Sequence, residues 1–390
     1  VDGVERLDFA NNMASHIHGH GFGPIVEGVT EQLKKGTAFT MATEAEIRFA
    51  EHMCSRSDNF DKIRFVNSGT EAVMAGMKAA RAFTGRTKIA KVEGSYHGAY
   101  DYAEVSQAPS PENWGHKDNP NPVPLAHGTP DSVLDDMVII PFNDPEKAIA
   151  VLDKQKQSIA CVLIDPIPHR IGMVPVNLEF VKALKQWTVE NGALLMFDEV
   201  ITFRNEVGGM QQRFGVSPDL TSMGKMIGGG FPVGALAGSD RVMAVFTKGD
   251  KGLLLPHSGT FSANPVTMTA GLIAMELFDA DAISRLNKLG DYTRAGITQL
   301  INRLGIPACV TGTGSLFRIH LKQEPPTNYR EVHPSAKESK LLSQLIDNLY
   351  DQGVMMIHTA AGTLSTAMEE GDINQFLEAL EKSFNAVQFD

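Results

Sequence analysis

The stretch KIRFVNSGTEAVMAGMKAARAFTG, residues 62–85, decides the predicted fold. Its apolar beginning predicts a short strand, and the apolar residues that follow at helical spacing predict a helix with its C-cap at Gly85. Strands and amphipathic helices go on alternating, with further strands predicted in TKIAKVEG (87–94), MVIIPF (137–142), IACVLIDP (159–166) and GALLMFDEV (192–200). This alternation predicts an α/β fold in which a mostly parallel central sheet is flanked by helices.

The pattern changes from about residue 285. Long helical segments enclose the strand-like run ACVTGTGSLFRIHL, residues 308–321, which predicts a smaller α+β domain. Residues 105–135, rich in Pro, Asn, Ser and Asp, read as a long loop of the kind that serves a site or an interface.

Composition excludes several classes of partner. The 390 residues are 43% hydrophobic, enough for a sizeable core, and the net charge of −11 argues against binding to nucleic acid or to anionic membranes. No apolar run reaches the roughly 18 residues that span a bilayer. Three widely spaced cysteines are typical of free thiols in a reducing compartment. We therefore expect a cytoplasmic protein that binds neither nucleic acid nor membrane.

Two polar segments follow predicted strands, at the edge where parallel sheets bind their ligands. Ser68, Gly69 and Thr70 end a strand and begin a helix, whose free N–H groups would bind a phosphate; simple helix capping is the alternative. Asp198 comes directly after five apolar residues. A buried carboxylate needs a positive partner such as a protonated ring nitrogen, and a capping or salt-bridging aspartate is the alternative.

Two more segments carry unusual side chains. Lys225 stands in the apolar, glycine-rich run SMGKMIGGG (222–230), where burial would favour a neutral, nucleophilic amine; a surface lysine is the alternative. Tyr96 and His97 follow a strand in EGSYHG (93–98), where the tyrosine ring would stack on a planar cofactor or be an ordinary loop aromatic.

Taken together, these segments describe one ligand. They offer a phosphate site, a stacking face, a carboxylate for a pyridinium nitrogen and a lysine for an aldehyde, which are the needs of pyridoxal 5′-phosphate (PLP). Lys225 would form a Schiff base with PLP and move a proton, and Asp198 would keep the ring nitrogen protonated.

Longer motifs resemble one enzyme family across nearly the whole chain. The segments VNSGTEAVMAGMKAARAFTGR, KVEGSYHG, GALLMFDEV, PDLTSMGKMIGGGFPVGALAG and HSGTFSANPVTMTAG are similar to those of class III aminotransferases of PLP fold type I. Within that family, the chain resembles the branch that contains glutamate-1-semialdehyde aminomutase. Two of its motifs, HSGTF and VTGTGSLF, are more similar to those of β-amino-acid aminotransferases. The resemblance implies a large PLP-binding domain at 34–284 and a small domain formed by 1–33 and 285–390.

The resemblance also implies a role for each matching residue. Lys225 would carry the cofactor, Asp198 would pair with its ring nitrogen, and Thr260 would reach the phosphate of the neighbouring subunit in a homodimer with shared active sites. Tyr96 and Val200 would cover the two faces of the cofactor ring, and His97 would also belong to the cofactor site. The phosphate would be held by Ser68, Gly69 and Thr70.

The sequence departs from the family where substrates bind. Arg170 replaces an amide that contacts the cofactor's ring oxygen, so it would take over that contact, bind a substrate carboxylate or form a surface ion pair. Ala360 stands where the aminomutase has a gating acid, which disfavours a mutase. Ser15 and His16 would line the substrate pocket.

Two features near the start of the chain add no chemistry to this prediction. His16, His18 and His20 alternate as metal ligands do, but the matching family segment binds no metal and we predict none. The chain begins at a strand, later than its relatives, which predicts a helical segment before it.

We therefore predict a PLP-dependent aminotransferase. It would move an amino group between an amino compound, such as a β- or ω-amino acid or amine, and a keto acid or aldehyde by a ping-pong mechanism. An aminomutase or racemase, which needs no second substrate, is the alternative within PLP chemistry. A non-catalytic PLP-binding relative is a weaker alternative, because Lys225, Asp198 and the phosphate loop are all retained.

Overall fold

The computed structural model describes residues 3–250 and 252–389. Its largest sheet has, within those ranges, seven strands: β1 (Lys62–Val66), β2 (Lys88–Val92), β3 (Met137–Ile140), β4 (Ile159–Ile164), β5 (Leu194–Asp198), β6 (Leu220–Gly224) and β7 (Gly234–Gly238). Their spatial order is β1-β7-β6-β5-β4-β2-β3. The antiparallel pairings are those of β7 with β1 and β6, and the other described pairs are parallel. The predicted α/β fold with a mostly parallel sheet is confirmed.

Strands in the middle of the sheet are buried on both faces. Along β4, Cys161 and Leu163 pack into one hydrophobic cluster, whereas Val162 and Ile164 pack into another on the opposite face. Because both faces are covered, these strands read as continuous apolar runs rather than as alternating ones.

Helices supply that cover. The longer ones are α1 (Gly23–Lys35), α2 (Glu44–Ser55), α3 (Gly69–Thr84), α4 (Pro145–Asp153), α5 (Leu178–Asn191), α6 (Pro265–Leu277), α7 (Ala280–Leu304), α8 (Ala336–Asp351) and α9 (Glu370–Ala386). Ser68 Oγ accepts a hydrogen bond from the Glu71 N–H at 3.1 Å at the start of α3, and Gly85, with φ of 69°, ends it as predicted.

Shorter elements lie in the connections. The helical turns are Asn11–Ala14, Asp101–Glu104, Asp131–Asp135, His169–Ile171, Thr202–Asn205, Met210–Phe214, Lys225–Gly228, Asp240–Met243, Ala244–Phe246 and Tyr329–Val332. One short antiparallel strand pair joins Gly115–His116 to Asn119–Pro120. Within the described residues, no helix combines the length and apolar character that a membrane crossing needs.

A small antiparallel sheet follows the large one. It consists of β8 (Cys309–Thr311), β9 (Leu316–His320) and β10 (Ala361–Thr363), with β9 in the middle. The start of the chain joins this region, because Leu7–Asp8 pairs in parallel with Val354–Met355. The proposed domain ranges 1–33, 34–284 and 285–390 stay a prediction, and residues 1, 2, 251 and 390 lie outside the described residues.

The turn Asn11–Ala14 has left-handed backbone throughout. Its φ angles are 45°, 46°, 55° and 72°, a conformation that costs L-residues roughly 1–2 kcal/mol each. Asn11 holds the turn in place, because its N–H donates to Asp8 Oδ1 at 2.8 Å and its Nδ2 donates to the Thr363 carbonyl at 2.7 Å. The segment that leads to Ser15 and His16 therefore has a strained backbone, which the surrounding structure holds in place.

Candidate active site

A cavity of about 130 Å³ opens at the carboxyl edge of the parallel strands. Its walls come from the segments that follow β1, β2, β4, β5 and β6, which lie together because the carboxyl ends of parallel strands meet at one edge. The lining residues are Gly69, Thr70, Tyr96, His97, Gly98, Asp165, Asp198, Val200, Ile201 and Lys225. The fold thus brings together most of the residues that the sequence analysis singled out for PLP.

Lys225 directly follows β6 and has φ of 50°, in the left-handed region that favours glycine. Burial lowers the pKa of its ammonium group, and the carboxylates of Asp198 and Asp165 act in the opposite direction. Among the described residues, its Nζ has no hydrogen-bond or ion-pair partner within reach. The side chain is therefore held in a costly backbone position while its amine stays available for chemistry.

Asp198, at the end of β5, is held by two hydrogen bonds. Its Oδ1 accepts from the Val200 N–H at 3.1 Å, and its Oδ2 lies 2.8 Å from His97 Nδ1. His97 is buried and its Nε2 lies 3.0 Å from Ser95 Oγ. Burial lowers the pKa of His97, whereas the adjacent Asp198 carboxylate raises it. The carboxylate is consequently fixed in orientation at the floor of the cavity.

The N-terminus of α3 forms the other end of the cavity. Gly69 and Thr70 of its first turn line the cavity, and the N–H groups at the start of a helix have no partner within it, so they can stabilise an anion. A Cβ atom added at Gly69 would lie 2.9 Å from Val200 Cγ2, and one added at Gly98 would lie 2.4 Å from Thr70 Oγ1. A side chain at Gly98, whose φ is 93°, would also meet the Thr70 backbone, so glycine is favoured there. The free N–H groups at the start of α3 are the feature that suits a phosphate group.

Two buried acids of this region escaped the sequence analysis. Asp165 directly follows the fully buried β4 and Asp198 ends the fully buried β5, and this similar placement was the available signal. Burial and the nearby Asp198 raise the pKa of Asp165 well above its usual value. Burial also raises the pKa of Glu199 to about 7, although its carboxylate accepts hydrogen bonds from the backbone of Met210 and Gln211.

Lys91, on β2, also escaped the sequence analysis. It is fully buried, and its Nζ donates hydrogen bonds to the carbonyl oxygens of Ser95, Ala103 and Val105 at 2.9, 2.5 and 2.9 Å. Burial lowers its pKa to about 7, yet three carbonyl acceptors match the three N–H groups of an ammonium ion. Lys91 thereby ties the turn that carries His97 to the neighbouring chain segment.

Replacement of Lys91 by methionine should lower the free energy of unfolding by about 3 kcal/mol, because three buried carbonyl oxygens lose their donor. Urea denaturation of wild type and variant would measure the difference. Lys78→Met removes an exposed lysine from α3 and should change the free energy by less than about 0.5 kcal/mol. Equal effects of the two substitutions would contradict this role for Lys91.

Five predicted site residues are not among those that line the cavity, namely Ser15, His16, Ser68, Arg170 and Thr260. Arg170 is at its edge, with the guanidinium carbon 6.0 Å from the centre of the Tyr96 ring. His16 lies beside the glycine run, since a Cβ added at Gly230 would be 3.2 Å from its Cε1. Ser15, next to it, accepts a hydrogen bond from Asn12. Their roles, and that of Thr260 below, stay predictions.

Thr260 is exposed in a separate cleft of about 940 Å³, lined in part by residues 38–43 and 257–260. Thr260 does not line the Lys225 cavity, and its contact with the phosphate of a neighbouring subunit stays a prediction.

The alternating histidines point to different partners. His18 lies within hydrogen-bond distance of Thr366 Oγ1 and the Ala274 carbonyl, and His20 lies 2.8 Å from Asp8 Oδ2. Over residues 3–250 and 252–389, no group of three or more His, Cys, Asp or Glu side chains is placed to hold a metal ion.

Comparison with known proteins agrees with this geometry. The family model described as aminotransferase class-III matches residues 1–384. A glutamate-1-semialdehyde 2,1-aminomutase of Methanosphaera stadtmanae is 35% identical over 384 residues, 98% of this chain and 88% of that protein. An omega-transaminase structure from Sphaerobacter thermophilus is 45% identical with a TM-score of 0.96, covering 99% of this chain and 88% of that one.

A further solved structure, a transaminase with PLP bound, is 38% identical with a TM-score of 0.90, and it too covers 99% of this chain and 88% of its own. The predictions of the family and of an enzyme are confirmed by these matches. The chain belongs to the class-III aminotransferase family.

Proposed function

We propose that the protein is a PLP-dependent aminotransferase that moves an amino group between an amino compound and a keto acid or aldehyde. The observation that carries this proposal is the convergence of Lys225, Asp198 and the N-terminus of α3 on one cavity. Bound PLP would supply an electrophilic aldehyde and an electron-accepting ring, which no side chain offers.

The residues present fit that cofactor at both of its ends. Lys225 would hold PLP through its amine, and the oriented Asp198 carboxylate would pair with the ring nitrogen. Tyr96 and Val200 line the cavity where the ring faces would lie, with His97 behind Asp198. At the phosphate end, the hydroxyl oxygens of Ser68 and Thr70 already accept bonds from backbone N–H groups, which leaves each O–H free to donate.

Lys225 is also the proposed proton carrier. A transferred amino group requires a proton to leave one carbon and arrive at another, and the lysine amine is a basic group that lines the cavity. Its burial-lowered pKa increases the neutral fraction that can accept a proton at Nζ. His97 would act as a positioning residue, because its ring lies 2.8 Å from Asp198 Oδ2 and holds that carboxylate in place.

We favour amine transfer over the aminomutase alternative. Ala360 has no acidic side chain, is fully buried and sits in a tight turn with φ of 55°. The higher identity to an omega-transaminase, 45%, than to the aminomutase of Methanosphaera, 35%, points the same way. Donors with a β- or ω-amino group are therefore the proposed class.

We also propose a homodimer with shared active sites in the cytoplasm. The cleft that contains Thr260 exposes large apolar side chains, since Phe39, Met41 and the adjacent Phe261 are 55%, 79% and 62% exposed. Apolar groups of this size are stabilised when a partner covers them. A second copy bound there would bring Thr260 toward the phosphate of its neighbour.

The reaction itself provides the test. Purified protein supplied with PLP would be offered a panel of α-, β- and ω-amino compounds, with and without a keto acid, while the products are quantified. We expect at least one donor to be converted continuously only when the acceptor is present. Isomerisation of a single compound without an acceptor would establish the mutase instead, and failure to bind PLP would refute the proposal.

A further inference from the structure

Two arginines beside the cavity have no acidic partner in the part of the chain that the structure describes. Arg318, on β9, is only 9% exposed, and Arg170 lies in the turn that follows β4. Over residues 3–250 and 252–389, Arg170 has no hydrogen bond or ion pair, and Arg318 makes one hydrogen bond, from Nη1 to the His169 carbonyl at 2.9 Å. The Nε–H of Arg318 is buried without a partner.

A second buried arginine is paired more completely. Arg56 is 8% exposed and donates to the carbonyl oxygens of Val207, Met275 and Phe278. Arg318 is as deeply buried but keeps most of its N–H groups unpaired. Burying an incompletely paired charge costs several kcal/mol, so a role other than packing is indicated.

The position of Arg318 connects it to the active site. On the same face of β9, Leu316 packs against Ile167, and the His320 ring lies 3.2 Å from the Gly172 carbonyl. This face of the small sheet therefore lies on the turn 165–172, whose first residue lines the Lys225 cavity.

The surroundings of the two arginines are cationic. Burial, together with the positive charges of Arg318, Lys225 and Arg170, lowers the pKa of His169 to about 3, so this imidazole stays neutral. A guanidinium with free N–H groups binds a carboxylate through two parallel hydrogen bonds. The phosphate site at α3 is formed by other residues. The positive charges of Arg318 and Arg170 are therefore available to a different anion.

We propose that Arg318, with Arg170, binds the carboxylate of the substrate, so that the enzyme prefers amino acids and keto acids to uncharged amines. This inference rests on the proposed aminotransferase function. The carboxylate belongs to the amino donor, to the carbonyl acceptor or to both in turn, because ping-pong substrates occupy one site successively.

Calorimetry with unreactive ligands tests the inference without relying on turnover. The PLP-loaded enzyme would be titrated with 3-phenylpropanoate and with 3-phenylpropanamide, which have the same shape but differ in charge. We expect wild type to bind the acid at least about tenfold more tightly than the amide, as a charged hydrogen bond provides. Arg318→Met should abolish that preference, and Arg318→Lys should retain part of it.

Arg294→Met is the matched control. Arg294 is a partly buried arginine that donates to the Gly314 and Leu316 carbonyls under the same small sheet. This variant should lose thermal stability but keep the preference for the acid. Arg318→Met should lose the preference without a lower melting temperature, because it removes an incompletely paired buried charge. A merely structural role for Arg318 predicts a lower melting temperature and an intact preference.

Separate half-reactions distinguish the two sources of the carboxylate. The loss of kcat/KM in Arg318→Met would be compared for a β-amino acid donor and for a keto acid acceptor, and the larger loss identifies the carboxylate that Arg318 binds. An acid preference that is absent from wild type, or undiminished in both Arg318→Met and Arg170→Met, would overturn the inference. If the inference fails in this way but wild type still transfers amino groups, the proposed aminotransferase function stands. If wild type prefers the acid but transfers no amino group, only the proposed aminotransferase function is refuted.

Discussion

Replacing Lys225 by alanine should lower kcat by at least about 10⁴-fold, because the variant loses both the amine that holds PLP and the base that carries the proton. Mass spectrometry of protein treated with borohydride would show the added mass of reduced PLP on wild-type Lys225 and no such adduct in the variant. Circular dichroism should be unchanged, since the Lys225 amine has no hydrogen-bond partner to lose among the described residues.

The backbone at this position gives a matched comparison. Lys225 has φ of 50°, which glycine adopts without the cost that alanine incurs. Lys225→Gly should therefore be as inactive as Lys225→Ala but more stable by roughly 1 kcal/mol. The exposed Lys34 of α1 serves as the control for loss of a lysine elsewhere, and Lys34→Ala should keep full activity. Turnover by Lys225→Ala at more than a hundredth of the wild-type rate would contradict the assignment.

Replacing Asp198 by asparagine should lower kcat/KM by roughly 10³-fold, because a neutral amide cannot stabilise a positive charge on the ring nitrogen of PLP. The change also removes the carboxylate that raises the pKa of His97, leaving burial to lower it further. The nearby Asp165 would lose a repelling neighbour, so its raised pKa should fall. Steady-state kinetics and the absorbance spectrum of bound PLP across pH would record these effects.

Asp198→Glu separates charge from position. It keeps the negative charge but displaces it by one methylene, so activity should lie between that of wild type and that of Asp198→Asn. His97→Gln should have a smaller effect than either, since it loosens the carboxylate without removing it. If Asp198→Asn keeps kcat/KM within about threefold of wild type, the carboxylate does not pair with the cofactor.

The sequence predicts the large sheet well because its signals are local. An apolar run such as β4 predicts a strand without knowledge of the rest of the chain. In the same way, the cap residues Ser68 and Gly85 predict the two ends of α3. The rule that ligands bind at the carboxyl edge then directs attention to the correct turns. The antiparallel strand β7, made only of glycine, alanine and leucine, has no such local signal.

Residues that act through long-range contacts are beyond such reasoning. Lys91 reads as a surface lysine on a strand, and only the fold shows that three carbonyl groups surround it. Arg318 stands more than a hundred residues from Arg170, and the small sheet alone places it against the turn after β4. The predicted role of Thr260 involves a second chain, which a single sequence cannot position.

The left-handed turn at Asn11–Ala14 has a consequence for chirality. Four consecutive amino acids hold a backbone whose mirror image is the ordinary helix, so the natural enantiomer of each is the disfavoured one. Met13 is 54% exposed there, so its side chain contributes little to the core. In a protein assembled by chemical ligation, the D enantiomer at that position should therefore relieve the local strain, because D residues favour left-handed backbone.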